Sequence, residues 1–374
     1  MNILTVNTGS SSVRLAIFED GAGSVKKVSS QTLGPEESTP QECIQNFMAV
    51  HDAGPFAAVA HRIVHGGTRV VGSCLIDEDV LREVERLSIL APLHNPLALR
   101  WIQACRSVLG SDVPHVVVFD TAFFAAMPDV AKVYALPGAL CREHGIQRYG
   151  FHGIAHRAMF QRWKKLRPDL EKGGKLISLQ LGSGCSITAV DRGLPVDTSM
   201  GFSPLEGLMM STRCGDIDPG VLVYLQKSAG LSIDELDTVL NKSSGLSGVS
   251  AVSGDMRTVI GSEEPAARFA IELYCYRAKK YIGSYMAALG GVDGIAFGGG
   301  VGENAPLIRE KILENMRWSG IDLDRRRNSD TIGTERQISS SSGRVDVRVI
   351  PVSESEVLAQ EAIGVLNRMK EHTD

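Results

Sequence analysis

The sequence predicts an α/β protein of two domains, and three observations carry that expectation. Strand-like and helix-like stretches alternate along the chain, the pattern of sheets covered by helices, with ligand sites at strand ends. The chain has 374 residues, 43% of them apolar and 22% charged, enough to bury more than one core. One segment also repeats: Ile3-Leu-Thr-Val-Asn7-Thr-Gly9-Ser-Ser-Ser12-Val-Arg-Leu-Ala-Ile17 is echoed by Leu176-Ile-Ser-Leu-Gln180-Leu-Gly182-Ser-Gly-Cys185-Ser-Ile-Thr-Ala-Val190, with Gly9 over Gly182 and Ala16 over Ala189.

Each copy reads as an apolar strand, a Gly/Ser turn and a second alternating strand. Such a turn can offer backbone N–H groups and hydroxyls to one anion, because no side chain bars the approach of a phosphate. One copy alone is as readily a plain tight hairpin. Two copies at corresponding places in two halves favour a pair of phosphate grips.

A third glycine-rich element, Gly294-Ile-Ala-Phe-Gly298-Gly-Gly-Val-Gly302-Glu-Asn304, runs from a strand into a helix-like Leu307–Ile312 that Asn304 is placed to cap. It lacks the lysine of a P-loop and the spaced acidic residue of a dinucleotide fold.

Between these elements, polar groups interrupt apolar surroundings: His61-Arg62 and His65, His94-Asn95, Asp120, His152, Glu206, and Thr212-Arg213. Burying Asp or Arg costs free energy unless each is paired or bound to a ligand. Any one of them could be structural. Two Arg, one Asp and a His recurring this way point to anion recognition and stabilisation of a phosphoryl group.

Composition narrows the partners. A net charge of −4 and a pI near 6.2 leave no cationic field for nucleic acid, and the basic clusters Arg162–Lys165 and Arg325–Arg327 are short. No apolar run reaches a membrane span, and Met1–Phe18 does not read as a signal peptide. The seven scattered cysteines include no CxxC pair. A cytoplasmic protein with no membrane or nucleic-acid partner is expected.

The segments Asn7–Ser12, His61–Gly67, Pro92–Pro96, Phe119–Phe123, Tyr149–His156, Gly182–Val190, Thr198–Pro219, Asn241–Arg257, Gly298–Asn304 and Ile350–Glu354 resemble the acetate kinases in order and relative position, from Met1 to about Ala362. The resemblance implies two duplicated actin-like (ribonuclease H-like) domains with an active-site cleft between them: an N-terminal domain over 1–122, a C-terminal domain over 123–355 carrying the nucleotide site and the dimer surface, and a helix over 356–374 returning to the first domain. It implies reversible phosphoryl transfer between ATP and acetate, an ATP:acetate phosphotransferase, with ATP/ADP as co-substrate, Mg2+ (or Mn2+) as metal, and a homodimer.

Carried over by position, Arg62, Asp120, His152 and Arg213 would be catalytic. Arg62, Val64, Leu93, Phe151 and Pro204 would bind the carboxylate. Ser12, Arg14, Gln180, Gly182, Ser183, Gly184, Gly299, Gly300, Gly302, Glu303 and Asn304 would bind nucleotide, and Asn7, Asp120 and Glu354 the metal. The chain departs from the family pattern at Arg14, where Lys is usual, and at Gln180 and Ser183, where His and Asn are usual; its stretch from Glu19 to Ala58 is also shorter. Propionate kinases share these motifs, and one methylene in an apolar pocket discriminates by only about 1–3 kcal/mol. A nucleotide-gated ATPase of the same fold is the alternative from another class, and it has no need of Arg62 and Arg213 beside Asp120.

Overall fold

The computed structural model describes residues 1–9, 12–21, 24–34, 38–51, 54–92, 94–110 and 112–371. Two compact units emerge: 1–125 with 151–154 and 353–374, and 126–150 with 155–352. The sequence expectation places the divisions at 122/123 and 355/356.

The first unit is built on β1 (Asn2–Thr8), β2 (Val13–Gly21), β3 (Ser24–Leu33), β4 (Phe56–Ile63), β5 (Cys74–Leu75) and β6 (His115–Phe119). The strand order is β3-β2-β1-β4-β6-β5. Neighbours β1/β2, β2/β3 and β5/β6 are antiparallel, whereas β1/β4 and β4/β6 are parallel. Strand β1 is buried along almost its whole length because both its faces are covered. Leu4 and Val6 join Leu15, Ile17, Ile44, Phe47 and Trp101 in one core. The helix Glu354–Glu371 also packs on this sheet, touching β1, β4 and β6.

The second unit repeats the plan with β7 (Lys175–Leu181), β8 (Cys185–Asp191), β9 (Leu194–Thr198), β10 (Gly294–Gly298), β11 (Arg336–Gln337) and β12 (Asp346–Val349). Its order, β11-β12-β10-β7-β8-β9, is that of the first sheet written backwards, and the antiparallel and parallel pairings recur in the same places. The duplication seen in the hairpins therefore extends to all six strands.

The hairpin alignment needs one correction. Leu4 pairs with Ile17 and Ile177 with Ala189, so Ile17, not Ala16, is the counterpart of Ala189. Residues 9–12 join Thr8 to Val13, whereas 182–184 join Leu181 to Cys185, and the shorter turn shifts the returning strand by one. Because side chains alternate along a strand, that slip exchanges its two faces.

Packing behind the second sheet is tight at Gly294. A Cβ there would stand 2.0 Å from the Trp163 ring, and Trp163 is fully buried with Nε1 donating to the Gly173 carbonyl at 2.8 Å. No helix among the described residues is long and apolar enough to cross a membrane. Gly294→Ala is expected to destabilise the protein by about 1–3 kcal/mol through overpacking, read as a lower urea midpoint at unchanged slope; wild-type stability would mean that Trp163 has room to move.

Candidate active site

The C-terminal ends of the parallel strands in the first unit gather the charged residues. Asn7 lies near the end of β1, Arg62 near the end of β4, and Asp120 directly follows β6. Glu354 opens the helix Glu354–Glu371. The Arg62 Nε and Nη2 donate to Asp120 Oδ2 at 3.2 and 2.8 Å, while Nη1 donates to Asn7 Oδ1 at 3.1 Å and Glu354 Oε2 at 3.0 Å. Asn7 Nδ2 closes the ring by donating to Glu354 Oε2 at 2.8 Å. Burial works against the Arg62 charge, but Asp120 and Glu354 outweigh it and raise the pKa. Burial pushes the Asp120 carboxyl up, opposed by Arg62.

Asp120 is fully buried, and its Oδ1 has no hydrogen-bond partner among the described residues. An unpaired carboxylate oxygen beside a second carboxylate and an amide oxygen is a hard donor set suited to a divalent cation that keeps some of its water. No group of three His, Cys, Asp or Glu side chains suited to a metal occurs among the described residues.

Phe151 and His152 approach Asp120 through the backbone: a Cβ on Gly153 would fall 2.0 Å from the Asp120 carbonyl oxygen. His152 holds φ at +57°, a left-handed conformation uncommon outside glycine and one that recurs at functional positions. Phe151 and Val64 are buried, and the Phe151 ring meets His65, next in chain to Val64, at 5.6 Å. Leu93, expected with them, lies outside the described residues, as do Ser10 and Ser11 of the first turn. Ser12 is half-buried. Arg14 is exposed, pairs across the sheet with Asn7, and donates to Thr32 Oγ1 at 3.3 Å. Directly opposed residues share a face, so Arg14 stands on the Asn7 side of the sheet.

In the second unit the turn Gly182–Gly184 opens onto a cavity of about 850 Å³, lined by Gly182, Ser183, Leu246, Met256, Ile260, Gly300, Asn304 and Pro306 among others. Gly299–Asn304 is a short helix directly following β10 rather than a loop. Asn304 does not cap the next helix, Pro306–Leu313, whose N-cap is Ala305; its Nδ2 turns back to the Gly300 carbonyl at 2.9 Å. Glu303, expected on the nucleotide, accepts from the backbone N–H of Gly299 at 2.9 Å and of Val352 at 3.1 Å. A carboxylate so placed clips the helix to a neighbouring loop. Gln180 Oε1 is buried without a partner among the described residues.

Arg213 is half-buried, and Nη1 donates to the Pro204 carbonyl at 2.5 Å. Burial lowers its pKa, and no carboxylate among the described residues pairs with it. A half-buried guanidinium with donors to spare is fitted to an incoming oxyanion. The segment carrying Pro204 is fixed by a network absent from the sequence expectations. Tyr134 and Arg148 both donate to Glu206, Arg148 at 2.5 Å, and Tyr134 Oη accepts from the Phe202 N–H at 2.8 Å.

A profile described as the acetokinase family matches residues 37–360. The chain belongs to that family. It is 43% identical over 337 residues to an acetate kinase of Chloroherpeton thalassium, covering 89% of this chain and 79% of that protein. The crystal structure of Porphyromonas gingivalis acetate kinase superposes with a TM-score of 0.87 at 36% identity, covering 98% of this chain and 99% of the other. A propionate kinase from Francisella tularensis gives 0.87 at 34% identity, covering 96% and 98%. As in other acetokinases, a nucleotide is the co-substrate.

Sequence reasoning also missed what underlies the second hairpin in this acetokinase. His156 is fully buried, its Nδ1 2.8 Å from Ser178 Oγ and its Nε2 2.7 Å from Ser186 Oγ. The signal was a pair of serines among the apolar residues of β7 and β8. Burial lowers the His156 pKa to about 3, whereas in the unfolded chain it titrates near 6.5. The unfolded state therefore takes up the proton first, and stability is full above that pH and lost toward 3, by up to about 1.4 kcal/mol per pH unit for this one group. Urea titrations at pH 7, 6 and 5 are expected to show a shallower acid loss in His156→Gln than in wild type; equal slopes would mean that His156 titrates as an ordinary histidine.

Proposed function

We propose that the protein transfers the γ-phosphoryl group of ATP reversibly to acetate, giving acetyl phosphate and ADP. The observation that carries this reading is Arg213, a half-buried guanidinium with no carboxylate partner among the described residues. An ATPase switch without a second oxyanion substrate has no need of it. Acetate is ionised at pH 7, so one of its oxygens can attack the γ-phosphorus without a general base. The new O–P bond forms as the bond to the ADP oxygen breaks, and ADP leaves with that electron pair. Positioning and charge neutralisation then carry the rate.

In this reading Arg213 and His152 neutralise the transferring phosphoryl oxygens. Arg62 orients the acetate carboxylate, exchanging part of its contact with Asp120 and Glu354 for it. Val64, Phe151 and Pro204 wall the methyl group. The Gly182–Gly184 turn takes the phosphates, and the cavity beside Met256 and Ile260 takes the adenosine. Arg14 and Ser12 add donors from the first hairpin. Asn7, Asp120 and Glu354 would hold Mg2+, which when bound offsets charge on the phosphates; the unpaired Asp120 Oδ1 supports that placement. Acetate is favoured over propionate by the names of the similar proteins, with a margin of about 1–3 kcal/mol set by one methylene.

The working form is read as a dimer of this chain. The helix Pro219–Ser228 carries Val221-Leu222-Val223-Tyr224-Leu225 in unbroken order, and none of its residues is buried. Phe269 and Tyr276 are exposed on the helix Pro265–Leu289, seven residues apart and so on one face. Arg277 of that helix donates to the Asp216 carbonyl at 2.9 Å, which brings its face beside the start of the first helix. A self-complementary apolar surface of this kind suits a two-fold contact.

With Mg-ATP and hydroxylamine, acetate-dependent hydroxamate is expected, and Arg213→Ala is expected to lower kcat by about a hundredfold or more with the fold intact. ATP loss without hydroxamate would sink the carboxylate reading, and near-normal turnover in the variant would remove Arg213 from the chemistry. Light scattering should give twice the chain mass for wild type and a smaller species for Val223→Asp; a wild-type monomer would refute the dimer.

A further inference from the structure

The glycine-rich helix Gly299–Asn304 poses a mechanical problem. Gly299, Gly300 and Gly302 have no side chains to pack, and glycine carries more backbone freedom than any other residue. Yet Gly300, Val301 and Asn304 line the cavity, and a wall that must first order itself weakens whatever binds against it. Something behind the helix has to fix it.

That place is occupied by Arg309, on the helix Pro306–Leu313 and fully buried. All five of its N–H groups are used. Nη1 donates to the carbonyls of Gly302 at 2.8 Å and Glu303 at 3.1 Å. Nη2 donates to the carbonyls of Asn328 at 2.9 Å and Thr331 at 2.7 Å, and Nε to Asn328 Oδ1 at 2.8 Å. Asn328 in turn donates from Nδ2 to the carbonyl of Pro306, another cavity residue, at 2.9 Å. Every acceptor is a neutral oxygen, and no carboxylate among the described residues offsets the buried charge. Burial lowers the pKa of this guanidinium to about 10, so it remains cationic at neutral pH. A charged group is costly to place there for packing alone, since an apolar side chain of similar size fills the same space. What only the planar fork provides is simultaneous attachment of the glycine helix and the Asn328–Thr331 segment from a single point.

We propose that Arg309 is a positioning residue for the nucleotide, holding the Gly299–Asn304 wall of the cavity in its binding shape from the side opposite the ligand. It touches no substrate, and its effect falls on nucleotide affinity rather than on the carboxylate or the transfer step. The inference rests on the reading of this cavity as the adenosine site. It extends that reading by assigning the cavity's rigidity to one buried side chain.

The test uses full-length Arg309→Met, which keeps the bulk, and Arg309→Lys, which keeps the charge without the fork. Calorimetric ADP binding is measured together with KM for ATP and for acetate. The expected result is a rise of about tenfold or more in the ADP Kd and the ATP KM for Met, with a smaller rise for Lys. The acetate KM should stay within about twofold and kcat at saturation within about threefold. A folded Met variant with wild-type ADP affinity, or equal rises in the two KM values, overturns the proposal. Where Arg309→Met does not fold, Asn328→Leu takes its place: it removes the Oδ1 contact and the bond to Pro306, and an unchanged ADP Kd is again decisive against. Wild type that binds ADP but makes no acetyl phosphate refutes the acetate reading while leaving the Arg309 comparison valid; wild type that binds no ADP refutes both.

Discussion

The guanidinium of Arg62 is the contact on which the first unit turns. It joins β1 through Asn7, the turn after β6 through Asp120, and the C-terminal helix through Glu354, all from the end of β4. Three of these four residues bear a formal charge, and none could be moved out of water on its own without a penalty of several kcal/mol. Together they satisfy most of one another's hydrogen bonds, leaving one Asp120 oxygen over. The arrangement is therefore both a structural joint and an incomplete one, which is the condition under which a bound cation or oxyanion can compete for the same partners.

The second unit repeats the sheet and discards the charge pattern. Where β7 and β10 mirror Asn7 of β1 and Arg62 of β4, Gln180 and Gly298 lie, and neither is charged. In the proposed reading its anion binding falls to backbone N–H groups and to Arg213. Two arginines of this unit, Arg309 fully buried and Arg213 half-buried, contrast instructively. Arg309 has five donors and five neutral acceptors, and so it is closed to a ligand. The Arg213 side chain makes one hydrogen bond among the described residues, to Pro204, which leaves donors over for the oxyanion proposed there. The same side chain becomes scaffold or site according to how many of its protons the fold has already used.

What could be read from the sequence followed from locality. The hairpins, the glycine element after a strand, and Arg62, Asp120 and Arg213 amid apolar residues all announce themselves within a few positions. The one-residue slip between Ala16 and Ala189 went unseen because an ungapped match does not register a shortened turn. Asn304 was assigned a cap it does not make, since it ends the preceding helix and Ala305 takes the cap position. The bonds that Glu303 accepts from Gly299 and Val352 could not be read from the sequence, since Val352 lies 49 residues away. His156, Ser178 and Ser186, or Arg309 and Asn328, meet only through the fold, and side chains that satisfy one another at long range leave no local pattern. Where Arg148, Tyr134 and Glu206 converge, the sequence showed a polar residue but not its reason.

The helix Glu354–Glu371 completes the first unit although 198 residues of the second, 155–352, precede it without interruption. During synthesis at roughly 5–20 residues per second, the sheet face that it covers waits on the order of ten seconds or more after β6 has been made. For that time β1 and β4 lack one of their covering layers, and Arg62 lacks Glu354. The nascent first unit is thus a partly uncovered sheet until the helix Glu354–Glu371 has been made, so that this helix adds a covering layer as well as a carboxylate to the charged cluster.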